Sequence, residues 1–149
     1  MTAARHLHGP LEPAVVKVGV ETNGVRVLPQ NVTPDDAEVA GLNIILPEST
    51  TVVVGAGVNG ADDFVVLPAL ADVPDGHQIV IVGNTAGFEI RTPATSAEEI
   101  NSEDCDGTKE YAVGANNVIV HMVKINDTIG WMGQGFTAIG AVVTAVVPD

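Results

Sequence analysis

The stretch Thr50–Asp63, TTVVVGAGVNGADD, decides how this chain is read. A β-branched run enters Gly55-Ala56-Gly57-Val58-Asn59-Gly60, a literal G-x-G-x-x-G. In a dinucleotide-binding enzyme a helix starts at the third glycine and aims its N-terminal N–H groups at a pyrophosphate. Here Gly60 is followed by Ala-Asp-Asp-Phe-Val-Val-Leu-Pro. Asp62 and Asp63 would set negative charge beside the phosphates, Val65-Val66 favours strand, and Pro68 and Pro74 interrupt any helix. The β-α-β context that gives the motif its meaning is missing. The stretch reads as a glycine-rich loop joining two strands, and no cofactor is expected.

Composition points the same way. The chain has 149 residues, 46% hydrophobic but only 3% aromatic, with valine the commonest residue, sixteen glycines and nine prolines. That is the vocabulary of strands and turns, with small branched side chains carrying the burial. The expected class is all-β, with at most one short helix. The best helix signal is TPDDAEVAG, residues 33–41, where Thr33 can cap, Pro34 suits the first helical position, and Asp35 and Asp36 suit the positive end of the dipole. GLNIILP and TTVVV then read as strands, and Ser96-Ala-Glu-Glu99 as a capping box over one turn.

Downstream, VVLPALADVPDGHQIVIVGNTAGFEIRTP holds a strand ending in Leu-Pro, a Pro-Asp-Gly turn at 74–76, the run Ile79–Val82 and an alternating strand from Phe88 to Thr92. NNVIVHMVKIND alternates around Val118, Val120, Met122 and Lys124, and DTIGWMGQGFTAIGAVVTAVVP follows. Short strands at regular spacing with turn signals between them describe a β-sandwich, jelly-roll-like, or a small barrel.

The formal net charge is −13 and residues 1–33 contribute +1, which leaves −14 for the remainder. An acidic body repels phosphate, so no nucleic-acid partner is expected. The first 33 residues read as an extended arm stiffened by Pro10 and Pro13 and a hairpin turning at Asn23-Gly24. They form a docking segment ahead of a β domain at 34–149. Arg5, His6, His8, Lys17 and Arg26 are its candidate partner contacts. Its start, MTAARHLHGPLEP, lacks the apolar core of a signal peptide, and the longest apolar run, near AIGAVVTAVV, is too short for a bilayer. A soluble chain with no membrane partner is expected.

No motif argues for catalysis. Ser49, Ser96, Ser102 and Cys105 stand outside any G-x-S-x-G elbow, and carboxylates beside Cys105 disfavour its thiolate. The acidic loop Glu103-Asp104-Cys105-Asp106-Gly107 fits the middle of a calcium loop, but Ser102 and Val113 would fill its first and closing positions. His6 and His8 offer half a zinc site with no third ligand near in sequence. No metal is expected. Trp131, the sole tryptophan, reads as a core anchor with its N–H on a backbone carbonyl, or as an interface anchor.

Residues 65–132 carry a further pattern: Leu67-Pro68, Gly76, Ile79-x-Ile81, Asn84, Ile90 to Pro93, Ile100-Asn101, Val118 to Val120 and Gly130-Trp131. This succession resembles a β module common in tailed-bacteriophage virion proteins, and departs from it at the longer, more acidic NSEDCDGTKEYAVGANN. The resemblance implies a structural protein without enzymatic activity, a capsid decoration (cement) protein that stabilises the head by bridging neighbouring major capsid subunits as a homotrimer. Its partners would be the major capsid protein and itself. Its place would be the outer surface of the virion, after synthesis in the host cytoplasm. The alternative it implies is a fibre or receptor-binding module recognising surface carbohydrate.

Overall fold

The computed structural model describes residues 28–59, 62–84, 87–107, 109–114, 117–137, 139–143 and 146–148. The Asn23-Gly24 hairpin and the arm before it lie outside the described residues.

The fold is built around its longest strands, β9 (Val118–Asn126) and β10 (Gly130–Thr137), which pair antiparallel. Alternation sends Val118, Val120, Met122 and Lys124 of β9 inward and Ile119, His121, Val123 and Ile125 outward. In the turn between the strands, Asn126 Oδ1 accepts the N–H groups of Thr128 at 2.9 Å and Ile129 at 2.8 Å. Gly130 closes the turn with φ +77, and a Cβ there would stand 2.4 Å from Glu99 O, so no other residue fits.

On the far side of β9 lies β4 (Gln78–Gly83), antiparallel. Beyond it, β2 (Thr51–Val54) and β1 (Gln30–Val32) pair in parallel. β1 thus joins the sheet ahead of the expected domain boundary at residue 33. The other flank of β10 is covered by the short strands β6 (Glu99–Ile100), β7 (Glu103–Asp104) and β11 (Val142–Val143). A second sheet, ordered β12-β8-β5-β3, comprises β3 (Phe64–Val66), β5 (Phe88–Arg91), β8 (Lys109–Val113) and β12 (Val146–Pro148). The fold is an all-β sandwich of two packed sheets, and only one 3₁₀ turn, Leu70–Asp72, interrupts the described strands and loops.

One core fills the space between the sheets. Val52, Val54, Ile79, Ile81, Val118, Val120 and Met122 come from the large sheet, and Val65, Ile90, Tyr111 and Val113 from the small one. Each fully buried aliphatic side chain is worth about 1.5–3 kcal/mol against exposure, so many small residues replace the missing aromatics. At one end of the core Lys124 is also buried. Its ammonium donates to Leu70 O at 2.7 Å and Val73 O at 2.8 Å and faces Asp127 Oδ1 at 2.6 Å and Asp75 Oδ1 at 3.2 Å. This tie fastens the 3₁₀ turn to β9.

Three local expectations fail, the first two because distant pairing outcompetes local preference. Residues 33–41 form no helix. Asp35 instead bridges Phe64 through its backbone, and buried Asn43 accepts from Val39 N–H at 2.8 Å while donating to Ala37 O and Phe64 O. The segment GLNIILP is no strand either; its backbone meets β3 through Ile45 N–H to Val66 O and Val66 N–H to Asn43 O, both at 2.9 Å. Together these segments seal the edge of β3. At Ser96 there is a turn in place of the capping box, with both its N–H and its hydroxyl donating to Pro93 O. The acidic stretch from Asn101 contains β7 and β8.

Candidate functional site

The glycine stretch holds an anion, but the anion is the chain's own. Asp63, 1% exposed, turns its carboxylate back into the loop, where Oδ2 accepts the Asn59 N–H at 2.8 Å. Gly57 packs so closely on it that a Cβ would lie 2.2 Å from Oδ2. Gly55 N–H donates to Val32 O at 2.9 Å and Val58 N–H to Pro34 O at 3.2 Å, stitching the loop to the chain leaving β1. β3 follows at Phe64, in the opposite sheet from β2, and no helix starts among the described residues of this stretch. The glycine spacing accommodates a buried carboxylate.

Other residues singled out for chemistry have structural partners. Ser49 Oγ donates to Gln30 Oε1 at 2.7 Å, and Ser96 Oγ to Pro93 O at 2.9 Å. Cys105 is fully buried, and burial first, then the carboxylates of Asp104, Glu103 and Glu110, push its thiol up to about 11. In the acidic loop Glu103 pairs with Lys109, and Asp104 Oδ1 accepts the Asp106 N–H at 3.4 Å. Among the described residues no three His, Cys, Asp or Glu side chains are grouped to hold a metal ion. Nor is any helix among them long and apolar enough to cross a membrane.

Trp131 lies wholly within the core, its ring meeting His77 edge-on at 6.4 Å between centroids. The expected hydrogen bond from its N–H is not made: Nε1 is buried without a partner. The indole contributes volume here, and its polar edge is left unsatisfied. Arg5, His6, His8, Lys17 and Arg26, the candidate partner contacts, all lie outside the described residues.

The unusual surface is the outer face of the large sheet. Register aligns one row across six strands: Asn31, Val53, Val82, Ile119, Phe136 and Val142. A second row runs through Thr51, Val80, His121 and Gln134, and a third through Gln78, Val123 and Met132. Ile119 is 51% exposed, Phe136 41% and Val142 64%. No Asp, Glu, Lys or Arg occurs in any row, although the chain carries 19 acidic and 6 basic residues. An open groove along β9 and β10 is lined by His121, Val123, Met132, Gly133, Gln134 and Phe136. His121 Nε2 lies 3.1 Å from Gln78 Oε1 across the strands.

A solvated sheet face ordinarily carries polar residues at every second position. The run Val118-Ile-Val-His-Met-Val123 carries apolar residues at both parities, His121 alone excepted, and that is the signal in the sequence that would have disclosed this face. Attention to its inward residues alone missed it. No protein-family model matches the chain, and no curated protein matches it.

Proposed function

We propose that this chain is a structural protein of a tailed-bacteriophage virion, a capsid decoration (cement) protein that assembles with itself, as a trimer, on the outside of the head. The observation that carries the reading is the outer face of the large sheet, apolar along most of its longest row and without Asp, Glu, Lys or Arg in its three rows, on a strongly acidic sandwich. Such a face is suited to contact with another protein, and contiguous apolar patches of this kind mark interaction surfaces. The succession of turns and strands from residue 65 to 132 that resembles phage virion modules supplies the setting.

The mechanism is mechanical. The basic segment, with Arg5, His6, His8, Lys17 and Arg26, attaches to neighbouring major capsid subunits, and the acidic remainder faces solvent and keeps particles apart by like-charge repulsion. The test is co-sedimentation of the purified protein with undecorated capsids. Binding at a fixed ratio to the major capsid protein, weakening with salt, supports the reading. Failure to bind any capsid, together with retention on a surface glycan, would replace it with the fibre alternative.

A further inference from the structure

We infer that a proline-lined slot on the sandwich holds the Arg26 side chain of this chain's own N-terminal segment. The inference concerns the free chain and does not rest on capsid attachment.

The slot measures about 170 Å³ and lies where the chain around residues 38–47 meets the chain around residues 66–72. Ile44, Pro47, Pro68 and Pro93 give it apolar walls, and Glu38 and Asp72 are the charged side chains that line it, both exposed. Glu38 is held in place by the Ala94 N–H, which donates to its Oε1 at 2.7 Å. A cavity of about 150 Å³ takes a benzene-sized guest, so the slot has room for one side chain. Apolar walls with carboxylates beside them suit a long aliphatic stem that ends in a cation.

Charge narrows the occupant to one segment of the chain. Of its six Lys and Arg residues, Arg91 is held by Glu89, Lys109 by Glu103, and Lys124 by Asp75 and Asp127. The other three, Arg5, Lys17 and Arg26, all precede Leu28, where the described residues begin.

Continuity selects Arg26 among them. Gln30 donates from Nε2 to Ile44 O at 2.8 Å and accepts the Leu46 N–H at 2.9 Å through Oε1. The chain therefore enters β1 against the segment that forms one wall of the slot. Arg26 stands four residues before Gln30, at most ~14 Å of extended backbone, and its side chain adds to that reach. An exposed ion pair is weak on its own. A short tether changes that, because it presents the side chain at an effective concentration of about 1 mM, and a weak contact is then populated.

The experiment is limited digestion of the full chain with an arginine-specific protease. Cleavage after Arg26 is measured against cleavage after Arg5 in the same molecules by mass spectrometry, and circular dichroism confirms that each variant is folded. Asp72→Lys should raise that ratio ~5-fold, as for a contact populated about 80% of the time, since cleavage follows the open fraction. Asp62→Lys makes the same charge change at an exposed residue of the glycine loop and should leave the ratio at its wild-type value. Added salt should lift the ratio in wild type and leave it unchanged in Asp72→Lys. Should Asp72→Lys unfold, Ala69→Leu takes its place, narrowing the slot without altering charge, with the same rise expected.

A ratio equal in wild type and the slot variant overturns the inference, and so does an equal rise in Asp62→Lys. Protection that is lost on dilution gives the slot to another copy of the chain and overturns it as well. Failure of the free protein to bind capsids refutes the decoration role and leaves this contact standing.

Discussion

Gly57→Ala tests whether the loop is built around Asp63. The added Cβ would lie 2.2 Å from Asp63 Oδ2, 3.0 Å from Cγ and 3.1 Å from its Cβ, so the whole carboxylate arm is in the way. Reaching ordinary contact requires a shift of about 1 Å, in a side chain that is 1% exposed. If the carboxylate moves, it loses the Asn59 N–H, a charge-assisted bond worth roughly 1.5–3 kcal/mol. If the loop moves, overpacking costs about 1–3 kcal/mol.

Either route gives a destabilisation of about 1–3 kcal/mol, which in a chain of this size lowers Tm by roughly 3–12 °C. Chemical denaturation followed by circular dichroism gives the free energy, and calorimetry the Tm. The decisive control is the same substitution in an Asp63→Gly background, where the obstacle is gone and the cost should fall by more than about 1 kcal/mol. A Gly57→Ala protein within a degree or two of wild type, or an equal cost in both backgrounds, would refute the reasoning.

Further outcomes follow from the buried polar groups. Glu98 accepts the Leu70 N–H through Oε1, and burial holds its pKa above the usual carboxylate range. Its protonated form is therefore favoured by folding, so wild type should gain stability relative to Glu98→Gln as pH falls from 7 toward 4, read as the difference in Tm. Lys124→Met should lower Tm, because Leu70 O and Val73 O lose their donor. The bond with Asp127 raises the Lys124 pKa, so the difference from wild type should hold across neutral pH and shrink only above about pH 10.4. Cys105, buried with its thiol pushed up to about 11, should resist a thiol reagent at pH 8 in the native protein and react promptly once denatured.

The strands that were legible in the sequence are those with their own punctuation. β4 is announced by Pro74-Asp75-Gly76, where Gly76 has φ +81, and β9 by its alternation. Illegible were elements whose partners lie far along the chain. Residues 33–41 hold good helix caps, yet Asn43 and the free edge of β3 draw their backbone away. β6 and β7, two residues each, exist only because β10 offers an edge. Parity placed Lys124 among the inward residues of β9, but nothing local could show the two carbonyls waiting for it. At the candidate face the clue was present in residues 118–123, and the register of neighbouring strands was needed to give it breadth.

The central position of β9 also governs when the protein can fold. β4 lies between β2 and β9, and the parallel pairs β1–β2 and β2–β4 have no antiparallel neighbour until β9 arrives. Parallel pairing and large sequence separation both slow folding. On a ribosome adding about 5–20 residues per second, the first half of the chain therefore waits for several seconds with its valine-rich strands unpaired. The β9–β10 hairpin, closed by a short turn, is the longest antiparallel pair among the described strands, and it supplies the edge on which β4, and through it β2 and β1, complete the sheet.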